Sequence, residues 1–206
     1  RKHFTINPEY SGKKVFVEFE GVQKYCKVWL NGKYLGDHRG GYGSFDFDIT
    51  GNIIEGKDNV LVVAVNNKMN DHFRIPPMAA GNFNVYGGIY RDVTIVLKDK
   101  LHIPMQGSAS HEGGTFVTTP VVSEKQGIVR VQTWVKNDYP QAKSCLLNTY
   151  IIDASGNVIQ VMKTKYTINP GQLYKFDQTS KPVKNPHLWS PENPYLYRVY
   201  SEVTDG

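Results

Sequence analysis

The chain has 206 residues, of which 40% are hydrophobic and 21% charged, and its formal net charge is +5. These proportions are typical of a folded globular protein and exclude a disordered or fibrous chain. The basic residues are scattered along the sequence, which argues against a nucleic-acid partner. No run of about 18 apolar residues is present, which argues against a membrane-spanning helix.

The first hundred residues alternate apolar and polar side chains with a period of two, which predicts β-strands. In KKVFVEFEGV the alternation places Val15, Val17 and Phe19 on one face, and in YCKVWLNG a similar apolar face follows over residues 26–30. Asn31-Gly32, between two apolar runs, predicts a tight hairpin turn. The run NVLVVAVNN is apolar on both faces, which predicts a strand covered on two sides.

A glycine-rich stretch, LGDHRGGYGSF, follows the hairpin. Its glycines allow the backbone to take positive φ or to pass close to a neighbour. His38, Arg39 and Tyr42 within it could line a sugar site, or they could hold the loop by local hydrogen bonds. We favour the structural role, because isolated motifs of this kind are weak signals of function.

A long irregular stretch separates VNN at 65–67 from YGG at 86–88. Loops of this length inside compact domains are often functional. The stretch is rich in groups that hydrogen-bond sugar hydroxyls, although a solvated loop would explain them equally well. These groups are Asn67, Asn70, Asp71, His72, Arg74, Asn82 and Asn84.

The alternation of apolar and polar residues weakens over HIPMQGSASHEGG, where Pro, Ser and Gly replace alternating apolar residues. We therefore divide the chain into two domains, 1–101 and 102–206. The second half contains about seven short strands with turn signals between them, including DASGNV, which predicts an immunoglobulin-like sandwich. The predicted fold class is all-β, a β-sandwich followed by an immunoglobulin-like β-sandwich.

No catalytic residue, metal ligand or cofactor site is predicted. A retaining glycosidase needs two facing carboxyl groups about 5–5.5 Å apart. Asp46 and Asp48 share a strand face, but anchoring a turn explains them more economically. The histidines have no metal-ligand spacing, and Cys26 and Cys145 each lie among apolar strand residues, which predicts buried free thiols. Trp189, in HLWSPENPYLYRV, is flanked by prolines and is expected to pack rather than to stack on a sugar.

In combination these motifs resemble a known family. FEGVQKYCKVWLNGKYLGDHRGGYGSFDFDIT, then NVLVVAVNN and NVYGGIYRDV, resemble the N-terminal sugar-binding domain of glycoside hydrolase family 2. TFVTTPVVS, VRVQTWVKN and LWSPENPYLYRV resemble the immunoglobulin-like domain that follows it. The family includes β-galactosidases, β-glucuronidases and β-mannosidases. Each motif is weak alone, but their order along nearly the whole chain is specific.

The resemblance implies a jelly-roll-type β-sandwich, an immunoglobulin-like sandwich and then a catalytic (β/α)₈ barrel with two catalytic glutamates. On this basis we expect a fragment, lacking the first strand of its first domain and the last strand of its second. Many relatives carry an acidic residue before YGG that reaches the substrate, and Asn82 occupies the matching position. Asn82, Asn84 and Asn67 are therefore the expected substrate-binding residues.

We expect the chain to be the non-catalytic N-terminal portion of a retaining β-glycosidase that removes terminal β-linked sugars, such as β-galactosides. Its expected partners are carbohydrate and the catalytic barrel of the same parent chain, with no nucleic acid, membrane or cofactor. Missing edge strands would leave open sheet edges through which the chain could self-associate. A periplasmic or extracellular location is expected.

The residues are compatible with two other functions. A self-sufficient carbohydrate-binding module would use exposed aromatic side chains, for which Trp29, Tyr42 and Trp189 are the candidates. An adhesive immunoglobulin-type array would bind a protein partner, but it gives no reason for the long irregular stretch.

Overall fold

A computed structural model of the chain describes residues 1–68, 87–106 and 112–206. Within these ranges the regular structure is β-strand, apart from two single-turn 3₁₀ helices, Pro8–Tyr10 and Thr50–Asn52. The all-β prediction is confirmed. The helices in the described ranges include no candidate for a membrane-spanning segment. The strands fall into two compact units, Arg1–Asp99 and a second from Lys100 onward; the limits 1–101 and 102–206 stay a prediction.

The first unit is built from antiparallel sheets. Its described strands are β1 (Lys2–Phe4), β2 (Lys14–Phe19), β3 (Val22–Gln23), β4 (Tyr25–Leu30), β5 (Lys33–Arg39), β6 (Phe45–Asp48), β7 (Asn59–Asn66), β8 (Gly88–Ile89) and β9 (Val93–Lys98). They pair in the orders β1-β7-β4-β5, β6-β2-β9 and β3-β8. Antiparallel pairing allows short turns between neighbours and one apolar face per sheet, as a sandwich requires.

The core of this unit lies between the inner faces of β2 and β4. Val17 and Phe19 of β2 are fully buried, as are Val28 and Leu30 of β4, and all four belong to one hydrophobic cluster. Phe19 stacks on Phe45, with ring centroids 4.8 Å apart. The predicted apolar faces are therefore confirmed, and removing them from water is the main force that holds the two sheets together.

The prediction that β7 is covered on both faces is wrong. Leu61 faces the core and is buried, whereas Val62 on the opposite face is only half-buried. Val62 lies opposite Trp29 in the sheet, and Trp29 in turn lies opposite Tyr34. Among the described residues no second layer closes over this outer face, so an apolar side chain there is shielded mainly by its neighbours.

The Asn31-Gly32 turn is confirmed and is fixed by side-chain hydrogen bonds. Asn31 has a φ of 51° and Gly32 of 80°, the left-handed conformation that a two-residue hairpin requires. The Asn31 Nδ2 donates to the Asn59 Oδ1 at 2.8 Å, and the Asn31 Oδ1 accepts from the Val60 N–H at 2.8 Å. Asn59 is fully buried, so these bonds compensate for removing its amide from water.

The second unit has two main antiparallel sheets. Its described strands are β10 (Leu101–His102), β11 (Thr115–Val122), β12 (Gln126–Asn137), β13 (Lys143–Ile152), β14 (Val158–Ile168), β15 (Leu173–Thr179), β16 (Val183–Lys184) and β17 (Arg198–Asp205). One sheet has the order β10-β12-β11, with β15 and β16 also pairing with β12, and the other has the order β14-β13-β17.

The core of the second unit combines side chains of both sheets. Val135 of β12 and Phe176 of β15 meet Leu147 of β13 in one buried cluster. The predicted DASGNV turn joins β13 to β14: the Asp153 Oδ1 accepts from the N–H groups of Ser155 and of Asn157, at 2.9 and 2.8 Å. This arrangement agrees with the predicted sandwich.

The two cysteines are buried free thiols, as predicted. Cys26 lies on β4 in the first unit, and Cys145 lies on β13 in the second. Removal from water raises the pKa of each thiol to about 11. Both therefore remain protonated and act as small apolar side chains.

Candidate functional site

One end of the sheet β1-β7-β4-β5 collects the features that the sequence singled out. Asn66 at the end of β7 pairs with Tyr25, and Tyr25 pairs with Arg39 at the end of β5. The Lys24 N–H donates to the Asn66 carbonyl at 3.4 Å, and the Lys24 carbonyl accepts from the Gly40 N–H at 2.9 Å. Gly40 of the glycine-rich stretch therefore lies near the end of the strand that leads into the long irregular stretch.

The glycine-rich stretch packs closely against its neighbours. A Cβ at Gly41 would lie 1.4 Å from the Oε1 of Gln23, a side chain that is 2% exposed. The Tyr90 hydroxyl donates to the Gly41 carbonyl at 2.6 Å. Gln23 itself lies on β3, which pairs with β8 through Gly88. Glycine at position 41 thus allows the glycine-rich stretch to pack between β3 and Tyr90.

The three side chains proposed to line a sugar site have different environments. The His38 ring stacks on Phe45 with centroids 3.9 Å apart, and burial lowers the pKa of His38, so the imidazole is neutral at pH 7. The Arg39 guanidinium lies 5.9 Å from the Tyr25 ring centroid. Tyr42 is 55% exposed. Tyr42 and Arg39 are both exposed to solvent, whereas His38 contributes to the packing of the sandwich.

The predicted substrate-binding residues are described only in part. Asn67 follows β7, and its Nδ2 would lie 2.6 Å from a Cβ added at Gly87. The side chain of Asn67 therefore lies close to Gly87, on the other side of the long irregular stretch in the sequence. Asn82 and Asn84 lie shortly before Gly87 in the sequence but outside the described residues.

The described part of this region offers hydrogen bonds rather than acid–base chemistry. The Gln23 Oε1 and the His38 Nε2 are buried atoms without a hydrogen-bond partner among the described residues. Sequence reasoning missed Gln23 and Tyr90, because the contact of Tyr90 with Gly41 joins residues 49 positions apart. Amides beside an exposed tyrosine can bind hydroxyl groups, but they cannot exchange protons with a substrate at neutral pH.

Asp48 has the turn-anchoring role expected of it. Its Oδ1 accepts from the Thr50 N–H at 3.0 Å and from the Thr50 hydroxyl at 2.6 Å, while its Oδ2 pairs with the Lys14 ammonium. Burial opposes ionisation of Asp48, but these bonds outweigh it and lower the pKa of the carboxyl. A carboxylate held in this way is a poor proton donor. In the described ranges no three His, Cys, Asp or Glu residues are grouped to hold a metal.

Trp29 and Trp189 differ in their exposure to solvent. Trp29 is half-buried on the outer sheet face, with its ring centroid 5.5 Å from that of Tyr34. Trp189, expected to pack, is instead 59% exposed within the second unit. Flanking prolines fix the backbone around Trp189 but do not supply a surface to cover its ring.

Comparison with known proteins gives the same family in both units. The glycosyl hydrolases family 2 sugar binding domain matches residues 1–99, and a second glycosyl hydrolases family 2 domain matches residues 113–206. A β-glucuronidase of Formosa agariphila is 35% identical, covering 100% of this chain and 21% of its own length. A β-galactosidase of Thermoanaerobacter pseudethanolicus is 31% identical, covering 97% of this chain and 25% of its own length.

Solved structures that resemble this chain belong to the same kinds of enzyme. The crystal structure of Bacteroides uniformis β-glucuronidase matches with a TM-score of 0.90 and 32% identity, over 99% of this chain and 24% of that chain. A β-glucuronidase from glycoside hydrolase family 2 matches with a TM-score of 0.89 and 35% identity, over 99% of this chain and 22% of that chain. The chain thus spans about a quarter or less of these relatives. It belongs to glycosyl hydrolase family 2 and corresponds to the non-catalytic N-terminal portion of its β-glycosidases.

Proposed function

We propose that this chain supports the catalytic barrel of a retaining β-glycosidase and shapes the mouth of its substrate pocket. The substrate class is a terminal β-linked sugar, with β-galactosides and β-glucuronides as the two candidates, since both activities appear in the names of the relatives. The first unit supplies pocket-wall amides from Asn67, Asn82 and Asn84. The two glutamates that the family uses for catalysis are assigned to the barrel of the parent protein.

The observation that carries this proposal is the junction between Asn67 and Gly87. Asn67 and Gly87, which flank the stretch that contains Asn82 and Asn84, lie close to each other beside the end of β7. Binding residues placed on loops that a rigid scaffold positions are a common arrangement in enzymes. The hydrogen bond from the Tyr90 hydroxyl to the Gly41 carbonyl is a further contact in the same region.

The test is a set of single substitutions in the full-length natural protein. For Asn82→Ala we expect kcat/KM for nitrophenyl β-glycosides to fall about 2- to 10-fold, as the loss of one uncharged hydrogen bond predicts. Asn157→Ala, in the DASGNV turn of the second unit, is the matched control and should leave kcat/KM unchanged. A wild-type kcat/KM for Asn67→Ala, Asn82→Ala and Asn84→Ala alike would contradict the pocket-wall role.

A carbohydrate-binding module that acts alone is the second candidate, favoured by the 55% exposure of Tyr42. It predicts that the 206-residue chain binds mono- or oligosaccharides by itself. Calorimetric titration would detect this binding, and Tyr42→Ala should abolish it. Absence of heat and of chemical-shift changes with both galactose and glucuronic acid would reject this candidate.

We further propose that the chain self-associates when it is isolated. Strands β5 and β11 lie at sheet edges in the described part of the molecule, and unpaired edges are templates for pairing with another chain. Sedimentation should then give an average mass that rises with concentration. A constant mass near 23.3 kDa at high concentration would contradict the proposal.

A further inference from the structure

The outer face of the sheet β1-β7-β4-β5 carries a cluster of side chains that the proposed function does not use. Lys27 and Trp29 lie two residues apart on β4 and therefore point to the same side of the sheet. Val28 between them is fully buried in the core, so this side is the outer one. In the ladder with β5, Trp29 lies opposite Tyr34 and Lys27 lies opposite Asp37. We call these four side chains, Lys27, Trp29, Tyr34 and Asp37, the Trp29 face.

The Trp29 face is open to solvent in the described part of the molecule. Tyr34 is 49% exposed and Trp29 is half-buried. Their ring centroids lie 5.5 Å apart and their planes are inclined by 52°. On β7 the short side chains of Val62 and Ala64 continue this face, opposite Trp29 and Lys27. An aromatic pair on an uncovered sheet face offers an apolar surface to a ligand.

Asp37 gives the Trp29 face a hydrogen-bond acceptor. The Tyr34 hydroxyl donates to the Asp37 Oδ1 at 3.3 Å, and the Arg39 Nε lies 3.8 Å from the Asp37 Oδ2. A carboxylate has about four lone-pair sites, so Asp37 keeps acceptor positions for hydroxyl groups of a ligand. A pyranose ring has an apolar C–H face and a rim of hydroxyl groups. An aromatic pair beside a carboxylate matches both features.

Lys27 adds a positive charge to the same surface. Its side chain is exposed, and its ammonium has neither a hydrogen bond nor an ion pair with any residue in the ranges that the structure describes. The carboxylate opposite it, that of Asp37, is shared by Tyr34 and Arg39. Two cationic groups therefore accompany one carboxylate on this part of the sheet, and the net positive charge favours an anionic ligand.

We propose that the Trp29 face binds a uronic acid residue, that is, a sugar that carries a carboxylate. The sugar ring stacks on Trp29 and Tyr34, its hydroxyl groups donate to Asp37, and its carboxylate pairs with the Lys27 ammonium. A neutral sugar leaves the charge of Lys27 without a partner, and a small carboxylate leaves the aromatic pair uncovered.

This inference goes beyond the proposed function, because it adds a binding site that does not include the pocket-wall asparagines. Trp29 lies about 14 Å along β4 from Tyr25, at about 3.4 Å per residue. Tyr25 pairs with Asn66 at the end of the sheet where the candidate functional site lies. Sugar bound at the two places can therefore be distinguished by which aromatic side chains it protects.

The first experiment is hydroxyl-radical labelling of the full-length natural protein in the presence of glucuronic acid, glucose or acetate, at equal ionic strength. We expect the labelling of Trp29 and Tyr34 to slow as glucuronic acid is added, while Tyr200, 62% exposed in the second unit, keeps its rate. The Kd read at Trp29 should be about 2- to 5-fold lower for glucuronic acid than for glucose, as one exposed ion pair predicts. Acetate should protect neither side chain.

Several outcomes would overturn the proposal. One is the absence of protection by glucuronic acid, and another is equal protection by glucose or by acetate. Slow labelling of Trp29 and Tyr34 before any sugar is added would show that another part of the polypeptide covers the face. Protection of Tyr42 without protection of Trp29 would assign the sugar to the candidate functional site.

A matched pair of lysine variants tests the charge. Lys27→Met should abolish the preference for glucuronic acid over glucose at Trp29, since it removes the ammonium and keeps a side chain of similar length. Lys33→Met is the control: Lys33 is exposed on the same hairpin, but it precedes Tyr34 and therefore points to the other side of β5. It should keep the wild-type preference. The same result for both variants, whether loss or retention, would contradict the pairing with Lys27.

A matched pair of tyrosine variants tests the stacking. Tyr34→Ala should raise the Kd for glucuronic acid at Trp29 by about 3- to 10-fold, the effect expected from losing one aromatic contact. Tyr10→Ala, at a tyrosine that is 42% exposed on the first 3₁₀ helix, should leave this Kd unchanged. A wild-type Kd for Tyr34→Ala would overturn the assignment of the ring to Trp29 and Tyr34.

These results separate the inference from the proposed function. If the full-length protein hydrolyses nitrophenyl β-glycosides but glucuronic acid does not protect Trp29, the Trp29 face is wrong and the proposed function stands. If glucuronic acid protects Trp29 but the protein hydrolyses no β-glycoside, the proposed function fails and the binding site stands.

Discussion

At the scale of single residues, close approach explains the glycine-rich stretch better than ligand binding does. Gly41 has no positive φ, so its backbone would tolerate a side chain, but the buried Gln23 amide occupies the space that a Cβ needs. Position 21 requires glycine for the same reason, since a Cβ there would lie 2.8 Å from the Tyr90 ring. Neither contact can be predicted from sequence, because each partner lies on another element of the sheet.

Gly41→Ala should therefore destabilise the first unit by about 1–3 kcal/mol, the usual cost of forcing extra atoms into a packed site. Gly43→Ala is the matched control, because a Cβ at Gly43 meets no atom within 4 Å, and it should stay within about 0.5 kcal/mol of wild type. Urea unfolding of both variants gives the comparison. Equal stability of the two would show that the stretch is not held by close packing.

At the scale of elements, strand alternation predicted the buried faces of β2 and β4 but not the partial exposure of the outer face of β7. Alternation identifies which side chains share a face, and the core face is then the more apolar one. When both faces are apolar, as in β7, the pattern cannot state whether a second layer exists. The sequence also located Asn67 at the end of β7, yet its contact with Gly87 depends on tertiary structure.

The pairing of β12 with β15 includes an ion pair that makes stability depend on pH. The Arg130 Nε donates to the Asp177 Oδ1 at 2.8 Å, and the Gln132 Nε2 donates to the Asp177 Oδ2 at 2.9 Å. The bonds from Arg130 and then from Gln132 lower the pKa of Asp177 to about 2. An unfolded aspartate has a pKa of about 3.9, so folding favours the ionised form.

The contribution of Asp177 should be present above pH 4 and should be lost as the pH falls from about 4 to about 2. Solvent screens this exposed pair, so we expect it to contribute less than about 1 kcal/mol at neutral pH. Asp177→Asn should remove part of the fall in thermal midpoint between pH 4 and 2. Glu124→Gln, an exposed change in the turn before β12, should keep the wild-type fall, and an equal fall in Asp177→Asn would contradict the assignment.

At the scale of the whole molecule, the sequence predicted both the all-β fold and the family. Turn residues and strand periods are local signals and indicated the fold, and the order of the motifs along the chain indicated the family. The candidate site was predicted less completely. Its scaffold residues Gln23 and Tyr90 act through long-range contacts, while Asn82 and Asn84 lie outside the described residues. The exposure of Trp189 could not be predicted, since prolines beside an aromatic residue fix the backbone but do not show whether the ring is covered.

We propose that this chain contributes to a β-glycosidase without performing the chemistry. The most direct test measures turnover of nitrophenyl β-galactoside and β-glucuronide, side by side, by the 206-residue chain and by the natural full-length protein. We expect turnover of at least one substrate by the full-length protein and none by the chain alone. Turnover by the chain alone that Asp46→Asn or Asp48→Asn abolishes, or no turnover by either protein, would contradict it.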